Sequence, residues 1–209
     1  MKKFLLIIMI LLFIFNISFG AKKNITKSTT VNKPVVERLK NIRRITADFI
    51  QTTKIKNFNE ETYKGKLYLI AGEKALWDYN YPYKQYYLFD KKGMEYYDSS
   101  TNQVIVQNKN SSREANIILT VLFNFKEIES NFDIVVNGKS QIQLKPKQDI
   151  GLKYIMLIVD SKNNIKGIHS EDINGNISEI EFNNVEINKD INLDVFKVKH
   201  PADAQIFNY

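Results

Sequence analysis

His169 and His200 are the only histidines in the 209-residue chain, and there is no cysteine. A zinc site needs clustered nitrogen or sulfur ligands, and neither an HExxH pair nor a cysteine pair exists, so no metal or other cofactor is expected. His169, Ser170, Glu171 and Asp172 supply the residue types of a hydrolytic triad. There is no G-x-S-x-G elbow, however, and the four sit at a predicted strand end beside a turn, which reads as a solvated loop. Glu179 and Glu181 lie two apart and so share one face of a strand, as a glycosidase carboxylate pair could. In SEIEF, Ile180 and Phe182 alternate with them and take the core, which leaves the glutamates to water. The eight glycines are scattered through turns and strands and form no phosphate-binding loop. No catalytic residue is nominated, and an enzyme is not expected.

The densest concentration of unusual side chains is KALWDYNYPYKQYYLFD, Lys74 to Asp90, with seven aromatic rings among seventeen residues and the only tryptophan, Trp77. Rings at this density could fill a core, stack on sugars, or line a greasy cavity. The elements around them must decide.

The first twenty residues, MKKFLLIIMILLFIFNISFG, combine two lysines, an apolar run and small residues before Ala21, the pattern of a cleaved secretory signal peptide. Residues 21–33 are polar and aperiodic and read as a flexible leader; residues 34–209 read as one domain, long enough for a sizeable core. Loss of Lys2 and Lys3 takes the net charge from +7 to +5. The remaining lysines are interleaved with acidic residues and do not form a nucleic-acid-binding block. Pro34 suits the first turn of a helix over 34–45, with Val35, Leu39, Ile42 and Ile45 or Thr46 on one face. The period then changes to two: Ala47, Phe49 and Gln51 share a side, as do Gly65, Leu67 and Leu69. Further strands are predicted at 75–79, 85–90, 93–97, 103–107, 132–136, 141–145, 153–160, 165–169, 177–183 and 195–199, separated by turn-forming segments. One stretch, Arg113 to Ser130, returns to helical spacing and is greasy around much of its circumference. A meander of eleven or twelve strands must curl or close.

Several segments are similar to the periplasmic outer-membrane lipoprotein carrier family, the LolA family. They are ITADFIQ (45–51), YKGKLYL (63–69), LWDYNYP (76–82), LFDKKGMEYYD (88–98) and FNNVEINKDINLDVFKVKHPADAQIF (182–207). The resemblance implies an α+β, mostly antiparallel fold: an incomplete, half-open β-barrel of about eleven strands, with helices forming a lid over an apolar cavity. It implies a monomeric carrier that takes acylated lipoproteins from an inner-membrane ABC-type releasing complex to an outer-membrane acceptor. The family's arginine-proline pair, whose arginine latches the lid, falls here on Ala71 and Gly72.

Strand parity aims Leu67, Leu69, Trp77, Tyr79, Leu88 and Met94 at the concave side, facing Leu39 and Ile42 of the first helix and Ile118, Leu119, Leu122 and Phe123 of the second. Tyr81, Pro82 and Tyr83 at a turn are expected on the cavity rim. The helices are expected to fill the cleft when no cargo is present and to swing away when acyl chains enter. Two other readings remain: a carrier or sensor of another lipid with the same architecture, and a secreted sugar-binding or hydrolytic protein.

Overall fold

The computed structural model describes residues 33–108, 128–162 and 164–209. The expected signal peptide, all of the leader except Lys33, and Ile118, Leu119, Leu122 and Phe123 of the second helix lie outside the described residues. Helix α1 spans Lys33–Lys40. Strands β1 (Arg44–Lys54), β2 (Glu61–Ile70), β3 (Lys74–Tyr81), β4 (Gln85–Phe89), β5 (Gly93–Asp98) and β6 (Gln103–Asn108) follow. Helical turn α2 (Ile128–Asn131) leads into β7 (Phe132–Asn137), β8 (Gln141–Pro146), β9 (Leu152–Val159), β10 (Ile165–Asp172) and β11 (Ile177–Ile187). A short 3-10 helix, Leu193–Phe196, precedes β12 (Gln205–Asn208).

All twelve strands belong to one sheet, ordered β12-β6-β5-β4-β3-β2-β1-β11-β10-β9-β8-β7. Neighbours are antiparallel except β12, which runs parallel to β6. The two end strands do not pair, so the barrel is half-open, in line with the sequence-based expectation. Sheets beyond about ten strands seldom stay flat, and here one face carries a continuous apolar cluster that the sheet curls to bury. Alternation sets that face: in β1 the pattern places Ile45, Ala47, Phe49, Gln51 and Thr53 inside.

Three expectations are corrected. The first helix ends at Lys40, not at residue 45, and Ile45 and Thr46 already belong to β1. Residues 195–199 form no strand: Phe196 closes the 3-10 turn, whose first residues are capped by the Asn192 side chain accepting from the Asp194 N–H at 3.0 Å. The last strand lies further on, at β12. Nor is the segment after His169 a solvated loop, because β10 continues to Asp172, and the buried Asp172 carboxylate accepts from the backbone N–H groups of Asn174 and Asn176 to organise the following turn.

On the outer face Leu76, Tyr86, Tyr97, Val104 and Phe196 form a second, smaller core where the C-terminal segment crosses β3 to β6. At the opposite corner Asn188 ties β11 to the link between α1 and β1. Its Oδ1 accepts from the N–H groups of Arg43 (2.6 Å) and Arg44 (3.1 Å), and its Nδ2 donates to the carbonyl of Asn41 at 3.2 Å. Asn188 sits at φ 58°, a left-handed conformation that asparagine tolerates better than most residues. Asn188→Ala should therefore lower stability by about 1–2 kcal/mol in a urea titration, combining lost hydrogen bonds with backbone strain. An unchanged midpoint would show that water replaces the amide at no cost.

Candidate functional site

The strand register arranges the concave face of β1 to β5 in rows that run across the sheet. The first row is Ile45, Leu69, Ala75, Phe89 and Met94, all apolar and all buried. Next come Ala47, Leu67, Trp77, Tyr87 and Tyr96, then Phe49, Gly65, Tyr79, Gln85 and Asp98. Beyond these, Gln51 pairs with Tyr63. Polarity thus rises along the strand axis, from aliphatic through aromatic to amide, phenol and carboxylate. Helix α1 and the link after it close the aliphatic side, with Val35, Val36 and Leu39 of the helix and Ile42 of the link in the same cluster.

An aromatic belt divides the two halves. The Phe49 ring meets Trp77 and Tyr79 edge-on at 5.1 and 4.9 Å between centroids, Tyr79 meets Tyr87 at 6.0 Å, and Tyr87 stacks on Tyr96 at 4.4 Å. On β11, Phe182 brings its ring to 6.1 Å from Trp77. Trp77, Tyr87 and Tyr96 are each only 1% exposed, so these rings wall an interior and do not form an outer stacking platform.

At the polar end the Tyr79 hydroxyl donates to Gln51 Oε1 at 2.8 Å, and Gln51 Nε2 donates to Ser178 Oγ at 3.2 Å. The Tyr96 hydroxyl is shared between Asp98 Oδ2 (3.1 Å) and Gln85 Oε1 (3.4 Å). Asp98 Oδ1 also accepts from the N–H and hydroxyl of Ser100, both at 2.7 Å. Burial pushes the Tyr79, Tyr87 and Tyr96 phenols well above the usual tyrosine value, helped at Tyr96 by the Asp98 carboxylate, so all three stay neutral donors. Among the described residues, three buried polar atoms on this face have no hydrogen-bond partner: Trp77 Nε1, Gln85 Nε2 and Thr53 Oγ1. Such an orphan costs about 1–3 kcal/mol in a dry interior.

Of the residues nominated from sequence, Leu39, Ile42, Leu67, Leu69, Trp77, Tyr79 and Met94 come together on the concave side. Leu88 does not. It pairs with Leu76 and packs in the outer cluster, because the β3–β4 turn sets Tyr87 opposite Trp77 and thereby gives the inner face to 85, 87 and 89. Tyr81 and Pro82 are exposed and Tyr83 half-buried, at the turn beside the polar end of the face. Gln51, Thr53, Gln85, Tyr96 and Asp98 were not nominated. Each is a polar residue or phenol at the in-strand parity of Phe49, Tyr87 or Met94.

At the two positions to which the resemblance assigns the arginine-proline pair, Ala71 packs against the inner cluster and donates its N–H to the Arg43 carbonyl at 2.8 Å, while Gly72 takes φ 74° with open space around it. Helix α1 is held by its apolar face, by Arg38 donating to Asn164 Oδ1 at 3.1 Å, and by the Lys40–Glu129 ion pair at 2.7 Å to α2. The hydrogen bond that Lys40 donates to Glu129 raises its ammonium above the usual value, although a partly exposed pair of this kind contributes little to stability.

Catalytic geometry is not assembled from the tempting residues. His169 lies on the outer face, stacked on Tyr154, with its ring nitrogens 3.1 Å from the Tyr154 hydroxyl and 3.2 Å from Glu179. Glu179 and Glu181 are exposed on that face, and Ile180 and Phe182 point inward. Among the described residues no group of three or more histidine, aspartate or glutamate side chains is placed to hold a metal, and no helix is long and apolar enough to cross a membrane.

Residues 40–199 match the family model described as outer membrane lipoprotein carrier protein LolA. The chain belongs to the LolA family. An outer-membrane lipoprotein carrier protein of Francisella tularensis subsp. novicida is 24% identical over 210 residues, covering 100% of this chain and 98% of its own. The protein of the same description from Nitrosospira multiformis is 24% identical over 176 residues, covering 81% and 84%. A crystal structure of an uncharacterized conserved protein from Thermus thermophilus superposes with a TM-score of 0.56 at 12% identity, covering 86% of this chain and all of that one. That likeness speaks to the fold. Within the LolA family frame, the row order describes the wall of this member's half-open barrel.

Proposed function

We propose that this chain is a non-enzymatic periplasmic carrier that takes up the acyl chains of lipoproteins released from the inner membrane and delivers them to the outer membrane. The observation that carries the proposal is the graded concave face, aliphatic beside α1 and polar near the β3–β4 turn, in a chain whose relatives are described as lipoprotein carriers. Moving a palmitoyl-sized chain from bilayer to water costs roughly 12 kcal/mol at about 0.8 kcal/mol per methylene, so unassisted crossing is negligible. Weak, non-directional contacts suit a carrier that must also release. The inner-face side chains are buried, so loading exchanges protein–protein contacts for contacts with the chains. Leu39, Ile42, Leu67, Leu69, Trp77, Tyr79 and Met94 are the proposed chain-contacting residues, and Tyr81, Pro82 and Tyr83 the rim that approaches a membrane or partner.

The partners proposed are an inner-membrane ABC-type releasing complex and an outer-membrane acceptor, with no cofactor. The test is release of a radiolabelled lipoprotein from inner-membrane vesicles: the purified protein should bring label into a soluble complex with itself. Label that stays with the vesicles at saturating protein would sink the proposal. Identification of co-purifying lipid by mass spectrometry separates a lipoprotein carrier from one for another amphiphile.

A further inference from the structure

The polar end of the concave face holds two hydrogen-bond donors that the protein itself leaves unused. Gln85 is 1% exposed; its Oε1 accepts from the Tyr96 hydroxyl, which turns Nε2 away from that bond, and Nε2 has no acceptor. The Tyr83 hydroxyl, with the Ser100 and Gln85 side chains beside it, is the protein's own competitor for this amide, at the limit of hydrogen-bond reach. Trp77 is likewise 1% exposed, clamped between Phe49 and Phe182, and its Nε1 has no acceptor either. The two residues are diagonal neighbours on adjacent strands, because Trp77 lies opposite Tyr87 and Gln85 opposite Tyr79. Diagonal neighbours of this kind have backbones roughly 7–8 Å apart, close enough for both side chains to reach one small polar group.

Their position along the face is as informative as their chemistry. The aliphatic row ends two residues earlier on β3, at Ala75, and the amide and carboxylate row begins at Gln85 and Asp98. A molecule whose alkyl chains lie along Leu69, Ala75 and Met94 would therefore present to Trp77 and Gln85 the atoms at which its chains join its headgroup. In a diacylglyceryl group those atoms are two ester carbonyls: acceptors only, uncharged, and a few ångströms apart. They match two unpaired neutral donors. A free carboxylate would also accept, but it would lie against the buried Asp98 carboxylate two strands from Trp77, which disfavours an anion there.

We propose that Trp77 Nε1 and Gln85 Nε2 form a hydrogen-bonding subsite for the ester carbonyls of a diacylglyceryl group, which sets the depth and direction in which an acylated cargo lies in the barrel. The inference rests on the acyl-carrier reading, and it adds a polar selection step to a face otherwise described by its apolar contacts. It predicts that the carrier distinguishes ester-linked from ether-linked chains of equal length and hydrophobicity.

The test uses the full mature chain and two soluble probes, a dioctanoylglyceryl cysteine peptide and its dioctyl ether counterpart, with the emission of Trp77, the only tryptophan, as one readout and calorimetric affinity as the other. The ester should bind roughly tenfold more tightly, since the ether leaves two buried donors unpaired. Ester binding should also red-shift Trp77 emission as its N–H gains an acceptor, and ether binding should not. In Gln85→Met and in Trp77→Phe the ester-to-ether ratio should fall, and in the double variant it should approach one; the ratio is insensitive to a general loss of affinity. Equal affinity of the two probes for the unaltered protein overturns the subsite and leaves the acyl-carrier reading standing. Binding of neither probe overturns both.

Discussion

Gly65→Ala is expected to cost about 3 kcal/mol or more and to disorganise the aromatic belt, although it adds a single methyl group in mid-strand. An ideal Cβ at Gly65 would lie 2.2 Å from the Asp78 carbonyl oxygen and 2.8 Å from Cζ of Phe49. The first partner is backbone and cannot rotate away. The second is the ring that crosses the sheet over Gly65 to reach Trp77 and Tyr79. Relief would require β2 and β3 to separate at the register shift between Lys64 and Gly65, or Phe49 to leave its place, and either would open the wall of the interior. The measurement is a urea titration followed both by far-ultraviolet circular dichroism and by Trp77 emission. A variant within about 1 kcal/mol of the parent, with unchanged emission, would show that the sheet rearranges cheaply here and that the glycine carries no such constraint.

The same glycine shows what was legible in the sequence. In YKGKLYLI its parity with Leu67 and Leu69 placed it correctly on the inner face, because a period of two is a local property that neighbouring residues report. Trp77 and Tyr79 follow on the same ground, whereas Met94, beyond two further turns, faces inward without local parity to say so. Leu88 does not follow, since parity across a turn depends on how many residues the turn absorbs, and the segment after Tyr79 does not announce its count. Residues 195–199 failed for a different reason. Val195, Phe196 and Val198 alternate like a strand, yet the outer cluster takes Phe196 from a single 3-10 turn. The strand that follows pairs in parallel with β6, about a hundred positions earlier in the chain, a partner no local pattern names. The polar end of the face went unseen because glutamine, threonine and aspartate at inner positions look like lapses in alternation until the register lines them up. Gln51, Gln85 and Asp98 become a group only across the four strand pairings that join β1 to β5.

Alkaline pH should unfold the protein in one steep step, and the buried phenols set where. Tyr79, Tyr87 and Tyr96 all titrate above the usual tyrosine value in the folded state, chiefly because burial penalises the phenolate. Below about pH 10 both folded and unfolded chains keep these protons, and stability does not depend on them. Above it the unfolded chain releases them while the folded chain retains them, so the unfolded state binds fewer protons and stability falls as pH rises. Each such tyrosine contributes about 1.4 kcal/mol of loss per pH unit, and three together about 4. Against a typical stability of about 5–15 kcal/mol, that brings the transition within about one to four pH units above 10. Lys40, raised by Glu129, loses its contribution in the same direction. The buried three should ionise only together with the loss of the β-sheet circular dichroism signal. Tyr87→Phe should make the transition shallower and move it to higher pH. Smooth phenolate absorbance for every tyrosine before any change in circular dichroism would mean that the inner face is open to hydroxide. The closed, graded interior on which both the carrier reading and the ester subsite depend would then be wrong.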